Sequence, residues 1–558
     1  MANVYAPSVQ MDTVRRQVNL EVQMQAHSAT ADATDAYHQG TPPDPMSEHG
    51  RHIFVYPLEG LGECDLAHMQ RGKLWRVTGN VPGIQNAGVV WGDHFGGWLL
   101  GQGYMQSVVD RRLYYRRNDD DTLSIVCVYV DDNRMTSTSL EERAAYLQAF
   151  DRAFPNSVAP GALEASVACD FAGVRYEKIG VGADARIEAS CPRLHAKLRI
   201  IIETLPPDQG LVLGTCVESP MAKDALVVLQ LSSTTDALLD QTRILMAQQI
   251  AGLGGFIVLC SRPDAYFAYV VLSQYLAHGL TQTIWNALIR WATYIYVNTA
   301  LRLTYWASSN GKPWVVYVDS SLFNAPNSRS MGGYLALYEG SGAFAWRCFS
   351  PRKLASSSGG SETIMASHAS QYILGQRILD KELGIHEGKP NELYSNNLAT
   401  LQGTEMENVP AKQRYLAARR AILRQVCTEE KIVRFLKVAT DDNPADLFTK
   451  PLEGDQFVKL RAILMGVSAA IGPPTPAPPI SQGAPKIDWV HFVKGLEADE
   501  TSSSYELRRG SLPPEDLYSM TKNAGEIHGK HAASNANPPP QRSPFIGVRS
   551  SQHQASIV

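Results

Sequence analysis

The feature that most constrains the fold is a strand-like run that ends in two adjacent aspartates. Residues 124–130, Ser-Ile-Val-Cys-Val-Tyr-Val, are largely apolar and rich in β-branched side chains, which predicts a buried strand. Asp131 and Asp132 follow directly, and Asp-Asp favours a tight turn. Two carboxylates at such a turn present the hard oxygen ligands that Mg²⁺ prefers. The run therefore predicts either a metal-binding turn or an ordinary β-turn.

Length and composition narrow the class of protein. With 558 residues, 44% hydrophobic and 19% charged, the chain is long enough for several domains of ordinary globular composition. A formal net charge of −4 gives no global basic field, so contacts with nucleic acid must come from local clusters. The eight cysteines contain no C-x-x-C pair, which argues against zinc knuckles and disulfide frameworks and fits a reducing compartment.

Targeting signals are not recognisable in the sequence. The N-terminus lacks a charged start followed by an apolar run, so we expect no signal peptide. The most apolar stretch, residues 250–260, is too short to span a bilayer. We therefore expect a cytoplasmic or nuclear protein without a membrane partner.

The pattern of strands and helices divides the chain into four segments. Residues 1–155 mix helix and strand signals, and within residues 156–308 the stretch from 236 to 303 is apolar-periodic, which predicts paired helices. Residues 309–467 show the order β-β-β-α-β-α-β, which predicts a separate α/β domain. Residues 468–558 are rich in Pro and Ser, and we expect a disordered tail because they bury too little apolar surface to offset the entropy of ordering.

Three further motifs stand in order before the two aspartates. They are Asp32-Ala-Thr-Asp-Ala-Tyr-His-Gln-Gly, then Pro82-Gly-Ile-Gln-Asn-Ala with Trp91, then Asp110-Arg-Arg-Leu-Tyr-Tyr. The series resembles the copia-type retrotransposon reverse transcriptase, whose motifs are Asp-x-x-x-Ala-aromatic, Tyr-Gly-Leu-Lys-Gln-Ala with a following Trp, Asp-x-x-Leu-aromatic and Tyr-Val-Asp-Asp. An aromatic-x-Asp-Asp pattern alone is weak, whereas the ordered match is far more specific.

The resemblance implies an α+β multidomain fold with a right-hand polymerase at its start. Residues 1–155 would form the palm with truncated fingers, and residues 156–308 the thumb and connection helices. Asp32, Asp131 and Asp132 would be the catalytic carboxylates that hold two Mg²⁺ ions.

The resemblance also assigns residues to the incoming nucleotide. Tyr37 would be the aromatic gate under the sugar, which favours deoxynucleotides; a core tyrosine that closes a turn is the alternative. Gly83 and Asn86 would lie along the nucleotide and template, although Asn86 replaces the family's usual Gln. The segment Tyr5-Ala-Pro-Ser-Val resembles one that lies well inside the family's domain, so most of the fingers, with their basic residues over the triphosphate, would be missing.

Two basic clusters are candidates for contact with phosphates. The first contains Arg111, Arg112, Arg116 and Arg117, and the second contains Lys412, Arg414, Arg419, Arg420 and Arg424. Acidic residues 119–121 follow the first cluster, so a self-neutralised hairpin is the alternative there. For the second cluster the alternative is a solvated basic face of a helix.

Residues 309–467 resemble the family's ribonuclease H domain, in which carboxylates hold two Mg²⁺ ions for hydrolysis of RNA paired to DNA. Asp319 ends the first strand, and Glu362 is predicted to open the first helix, where the helix dipole alone would also favour a carboxylate. Asp446 lies in Ala-Asp-Leu-Phe-Thr-Lys, which is very similar to the family's Ala-Asp-x-x-Thr-Lys. The family's remaining acidic position falls on Asn396, a neutral amide, so we expect impaired hydrolysis.

The sequence supports one function and leaves others open. The first is an RNA-directed DNA polymerase that uses Mg²⁺, an RNA template, a DNA primer and deoxynucleoside triphosphates, with an impaired ribonuclease H-like domain for the RNA–DNA hybrid. The alternative is a decayed or repurposed remnant that folds and binds nucleic acid without catalysis; a third is an unrelated scaffold with chance motifs. Protease, knuckle and integrase motifs are not found, so the chain looks like the C-terminal part of a copia-type polyprotein, of undefined oligomeric state.

The substitution Asn396→Asp is expected to raise hydrolysis of an RNA–DNA hybrid, because it supplies the missing anionic ligand. Cleavage of the labelled RNA strand, compared with the unchanged protein, measures the effect. No gain would show that the defect does not come from Asn396.

Overall fold

The fold is described from a computed structural model of the chain. Placement is described for residues 8–40, 53–55, 75–77, 80, 87–155, 168–205, 217–307, 313–325, 329–352, 354–385, 388–397 and 411–467. The predicted tail, residues 468–558, lies outside these ranges, so that prediction stays untested.

The first segment builds a five-stranded antiparallel sheet. Its elements are α1 (Met11–Gln23), β1 (His27–Asp32), α2 (Ala36–Gln39), β2 (Ile53–Val55), β3 (Trp75–Val77), α3 (Ala87–Gly101), β4 (Met105–Gln106), β5 (Leu113–Arg117), β6 (Leu123–Tyr129), β7 (Asp132–Ser137) and α4 (Leu140–Ala153). The strand order is β1-β7-β6-β5-β4, and β2 pairs only with β3. The predicted buried strand is confirmed as β6, which is buried along all but its last residue.

Helix α3 lies close against the sheet because two of its residues lack side chains. A Cβ atom at Gly92 would overlap the Arg112 guanidinium, and one at Gly96 would overlap the Tyr114 hydroxyl. The Arg112 guanidinium also donates a hydrogen bond to the Gly92 carbonyl oxygen at 2.6 Å. This close contact fixes the helix over β5 and brings Trp91 toward the end of β6.

The second segment contains a sheet that the sequence did not predict. Its elements are β8 (Ala168–Phe171), β9 (Val174–Ile179), β10 (Arg186–Ser190), α5 (Pro192–Glu203), α6 (Ala225–Thr235), α7 (Gln241–Cys260), α8 (Tyr266–Leu276), α9 (Gln282–Val297) and β11 (Leu303–Trp306). The strand order is β11-β10-β9-β8, and all neighbours are antiparallel. The expectation of helices alone is therefore incomplete. These short strands carry charged residues on their more exposed face, so they lack the long apolar run that marks β6.

Helix α7 is longer than its most apolar part, residues 250–260. It begins at Gln241 and ends at Cys260. Gly254 and Gly255 lie within it, and their missing side chains make room for Trp291 of α9 and Tyr269 of α8. By length and composition α7 is long and apolar enough to cross a membrane. It contacts α5, α8 and α9, and residues such as Ile257 are fully buried against them, as in a core helix.

The third segment confirms the predicted order of strands and helices. Its elements are β12 (Val315–Ala325), β13 (Arg329–Leu337), β14 (Ala345–Phe349), α10 (Ser358–Glu382), β15 (Asn391–Ser395), α11 (Ala417–Arg424), β16 (Val433–Lys437) and α12 (Gly454–Met465). The strand order is β14-β13-β12-β15-β16; β12 runs antiparallel to β13 and parallel to β15, which is parallel to β16. Helix α10 packs on β12 and β13 at the centre of this sheet.

A buried ion pair joins the first helix to the third segment. Arg16 of α1 donates from Nη2 to Asp380 Oδ1 of α10 at 2.6 Å, and both side chains are nearly inaccessible. Trp314 Nε1 donates to the other oxygen of Asp380 at 2.9 Å. The attraction of Asp380 raises the pKa of Arg16 above its ordinary value even though burial alone lowers it. Arg16 therefore keeps its positive charge within the core.

Other polar residues of α1 contact all three segments. Arg15 donates to the carbonyl oxygens of Phe344 at 2.8 Å and of Leu259 at 2.5 Å, and its guanidinium lies 3.7 Å from the centroid of the Trp346 ring. Glu21 accepts from the buried Arg134 of β7. One continuous cluster of buried apolar residues extends through all three segments. The described segments therefore share a core.

Replacing Arg16 with methionine is expected to lower the free energy of unfolding by about 3–5 kcal/mol, because Asp380 is left buried without its counter-charge. Urea denaturation followed by tryptophan fluorescence measures the change. Arg424→Met is the matched control, since Arg424 and Glu429 form a largely exposed pair at 3.1 Å whose loss costs little. Equal denaturation midpoints for the two variants would contradict the structural role of the Arg16 pair.

Candidate active site

Strand pairing brings three predicted carboxylates to one end of the first sheet. Asp32, the last residue of β1, lies opposite Asp132, the first residue of β7. Asp131 occupies the two-residue loop between β6 and β7, and its carbonyl oxygen accepts from the Ala33 N–H at 3.2 Å. Residues about 100 positions apart in sequence therefore meet at one turn.

The turn that carries these aspartates is strained at Val130. Its φ of +57° lies in the left-handed region, which β-branched residues rarely adopt. The surrounding structure holds it there, because Trp91 Nε1 donates to the Val130 carbonyl oxygen at 2.8 Å and the side chain is buried. Strain of this kind persists only where packing enforces it, and it is frequent at functional sites.

Burial raises the pKa values of all three carboxyl groups, and neighbouring carboxylate charge adds to this for Asp32 and Asp132. Burial, followed by the charge of Asp131, raises the pKa of Asp32 to about 6. Burial, followed by the charges of Asp32 and Asp131, raises the pKa of Asp132 to about 7. Burial also raises the pKa of Asp131 above its ordinary value. The concentration of negative charge favours either protonation or a bound cation.

The donor set fits a magnesium ion that shares its ligands with a substrate. All three side chains are carboxylates, and Mg²⁺ is usually held by one or two carboxylates together with water and phosphate oxygens. The three side chains do not by themselves form a group that could hold a metal ion, and among the described residues no other group of three or more His, Cys, Asp or Glu side chains does so. Asp32, Asp131 and Asp132 would therefore hold Mg²⁺ together with ligands from outside the chain.

A hairpin from the second sheet reaches this cluster, which sequence reasoning missed. Strands β8 and β9 are joined by Ala172 and Gly173, whose φ angles of +48° and +75° match a type I′ turn. The Ala172 N–H donates to Asp132 Oδ2 at 3.3 Å, and the nearby Asp170 adds further negative charge. The available signal was Gly173 between two short alternating runs.

The predicted nucleotide-binding residues are only partly described. Tyr37 lies on α2, five positions after Asp32, and packs half-buried against an apolar cluster that includes Trp91. Gly83 and Asn86 lie outside the described residues. The role of Tyr37 as a gate therefore stays a prediction.

Three of the four arginines in the first basic cluster are held by protein groups. Arg112 is buried on the Gly92 carbonyl, Arg116 pairs with Glu142, and Arg117 pairs with Asp121. Arg117 also donates to the Leu383 carbonyl oxygen at 2.7 Å. These contacts fit the self-neutralised alternative better than contact with phosphates.

The third segment gathers the other predicted carboxylates in its interior. Asp319, Glu362 and Asp446 are 2%, 5% and 0% exposed. Burial, followed by the charge of Asp319, raises the pKa of Glu362 well above its usual range and that of Asp446 to about 7. The Thr449 hydroxyl donates to Asp319, and Lys450 Nζ lies 2.7 Å from Asp446 Oδ2.

Glu362 and Asn396 are two positions of this segment for which sequence patterns lead to an expectation. Helix α10 begins at Ser358, so Glu362 does not open it, and a first-turn role in the helix dipole is wrong. The earlier start follows from Ser357, whose side chain accepts from the Gly360 N–H.

Tyr317 of β12 pairs in parallel with Tyr394 of β15. Asp319 lies two residues after Tyr317, and Asn396 lies two residues after Tyr394. If this register continued past the end of β15, Asn396 would lie level with Asp319.

Comparison with known proteins identifies a relative. The chain is 21% identical over 464 residues to the "Retrovirus-related Pol polyprotein from transposon TNT 1-94" of Nicotiana tabacum. The matched region covers 81% of this chain. The chain resembles a retrotransposon Pol polyprotein. This confirms the family resemblance predicted from the ordered motifs. The chain spans about a third (32%) of the length of that polyprotein. No family model matches the chain.

Solved structures give weaker similarities. The foamy viral protease-reverse transcriptase in complex with an RNA/DNA hybrid has a TM-score of 0.33 and 13% identity, over 74% of this chain and 44% of that one. The native prototype foamy virus protease-reverse transcriptase has a TM-score of 0.19 and 13% identity, over 81% and 46%. Scores this low do not establish a shared arrangement, so the site rests on its own geometry.

The substitution Asp132→Asn is expected to stabilise the metal-free protein, and more so at pH 8 than at pH 5. The folded protein holds the Asp132 proton up to about pH 7, whereas the unfolded chain releases it near its ordinary pKa of 3.8. Stability present at low pH is therefore lost as the pH rises through 7, and asparagine avoids this loss. Thermal unfolding in EDTA measures it.

The control for this pH dependence is Asp151→Asn, which changes an exposed aspartate of α4. Its unfolding temperature should follow that of the unchanged protein at both pH values. An advantage of Asp132→Asn that does not grow between pH 5 and pH 8 would contradict the account of mutual repulsion.

Proposed function

We propose that the chain is an RNA-directed DNA polymerase of the retrotransposon reverse-transcriptase type. The observation that carries the proposal is the meeting of Asp32, Asp131 and Asp132 at one strained turn, where each carboxyl group has a raised pKa. Such a cluster costs free energy unless a cation binds, and nucleotide transfer needs cations at this kind of site.

The chain's own groups would position the reactants. Bound Mg²⁺ would supply positive charge for the attacking 3′-oxygen and for the leaving pyrophosphate. Asp32, Asp131 and Asp132 would hold that charge at the end of the sheet, fixed by the pairing of β1 with β7. Tyr37, on the short helix after β1, would exclude a ribose 2′-hydroxyl and so select deoxynucleotides.

The substrates follow from the same proposal. An RNA template, a DNA primer and deoxynucleoside triphosphates are the partners that a reverse transcriptase requires, and the relative is a Pol polyprotein of a transposon. The ribonuclease H-like segment would act on the RNA–DNA hybrid at a reduced rate, because Asn396 replaces an anionic ligand.

A second candidate is a folded remnant that binds nucleic acid without catalysis. Asn396 and the Lys450–Asp446 ion pair favour it, because both reduce the negative charge of the second carboxylate cluster. This candidate differs from the first only in chemistry, so an activity measurement separates them.

Primer extension on an RNA template with Mg²⁺ tests the proposal. The unchanged protein is expected to extend the primer, and the double variant Asp131→Asn/Asp132→Asn to lose on the order of a hundredfold or more of that activity. Asp119→Asn/Asp120→Asn is the matched control, since it makes the same change in an exposed adjacent pair on the β5–β6 turn. Equal extension by the unchanged protein and the Asp131/Asp132 variant would exclude the proposed site.

A further inference from the structure

The carboxylate cluster of the third segment contains a cation from the chain itself. Lys450 Nζ lies 2.7 Å from Asp446 Oδ2, and Asp446 is fully buried. Lys450 follows Thr449, whose hydroxyl donates to Asp319, so one short stretch of chain contacts two of the three carboxylates. The ammonium thus holds a position among oxygen ligands that a divalent ion would otherwise take.

The cluster does not fit a pair of magnesium ions. Its three carboxylates are almost inaccessible, which leaves little surface for the water and phosphate ligands that Mg²⁺ normally keeps. The neighbouring position supplied by Asn396 carries no charge. The formal charge of three ionised carboxylates and one ammonium is balanced by one divalent ion. The charge of two divalent ions would exceed it.

We propose that Lys450 is a built-in cation of the Asp319, Glu362 and Asp446 cluster, where it takes the place of one divalent ion and competes with divalent ions for Asp446. The cluster then accommodates one ammonium and no more than one divalent ion. The second observation behind this is that Glu362 Oε2 and both carboxylate oxygens of Asp446 are buried without a hydrogen-bond partner, so Lys450 contacts Asp446 as an ion pair. Lys450 alone therefore leaves oxygen atoms available to a single further cation.

The alternative role for Lys450 is that it organises the carboxylates for metal binding. The two roles predict opposite effects of removing the ammonium. A competitor lowers the affinity for a divalent ion, so its removal raises the affinity. An organiser raises the affinity, so its removal lowers it.

Titration of the full-length chain with Mn²⁺, with free Mn²⁺ counted by electron paramagnetic resonance, tests the proposal. The background variant Asp131→Asn/Asp132→Asn removes the first carboxylate cluster, so the result does not depend on the proposed polymerase activity. In this background, Lys450→Met is expected to bind Mn²⁺ at least about tenfold more tightly, which corresponds to about 1.4 kcal/mol. The unfolding temperature of the Lys450→Met protein should also rise when Mn²⁺ is added.

Three further variants complete the test. Lys459→Met removes an exposed lysine that lies 2.5 Å from Asp442, and it should leave Mn²⁺ binding unchanged. Asp446→Asn, added to Lys450→Met, should abolish the gained affinity. Lys450→Gln keeps a hydrogen-bond donor beside Asp446 and repeats the comparison if the methionine variant does not fold. Unchanged or weaker Mn²⁺ binding without Lys450, or two ions bound with Lys450 intact, would overturn the proposal.

Discussion

The buried pair of Arg16 and Asp380 is the interaction on which the rest of the arrangement depends. It joins a helix at the start of the described chain to the long helix of the third segment, more than 360 positions away in sequence. A charge buried without a partner costs several kcal/mol, so neither helix can leave this position without a large penalty. Through Gln23, which donates to the Trp306 carbonyl oxygen of β11 at 2.8 Å, and through Glu21, the same helix α1 also contacts the second and first sheets. Three sheets are therefore positioned around one polar helix.

The same network sets the register at the candidate active site. Glu21 holds Arg134 of β7, and Arg134 lies two residues from Asp132. A slip of one residue between β1 and β7 would turn Arg134 outward and would separate Asp132 from Asp32. The position of the carboxylates is thus fixed by buried charge some distance from them, as well as by the turn at Val130. Burial and neighbouring carboxylates raise pKa values in both clusters, and in the second cluster Lys450 also lies against a carboxylate.

Long, continuous sequence signals predicted much of this correctly. The β6 run and the order of strands and helices along the third segment are confirmed, because apolar runs such as residues 314–318 mark strands there. Asp32, Asp131 and Asp132 could be grouped only through the order of family motifs, since nothing in the local sequence shows that β1 pairs with β7. The β8–β9 hairpin was missed because β8 has only 4 residues and half of β9 is charged. The position of Glu362 was misjudged because the helix starts at a serine cap. The pairing of Lys450 with Asp446 follows one turn of local chain, yet its importance comes from Asp319 and Glu362, which lie far away in sequence.

The central claim is that the turn at Asp131 and Asp132 is a cation site for nucleotide transfer. Anomalous X-ray scattering from crystals of the protein with primer–template, a deoxynucleoside triphosphate and Mn²⁺ tests it most directly. We expect manganese peaks between the carboxylates of Asp32, Asp131 and Asp132 and the phosphates of the nucleotide. A nucleotide bound with its manganese elsewhere, and no peak at these three carboxylates, would contradict it.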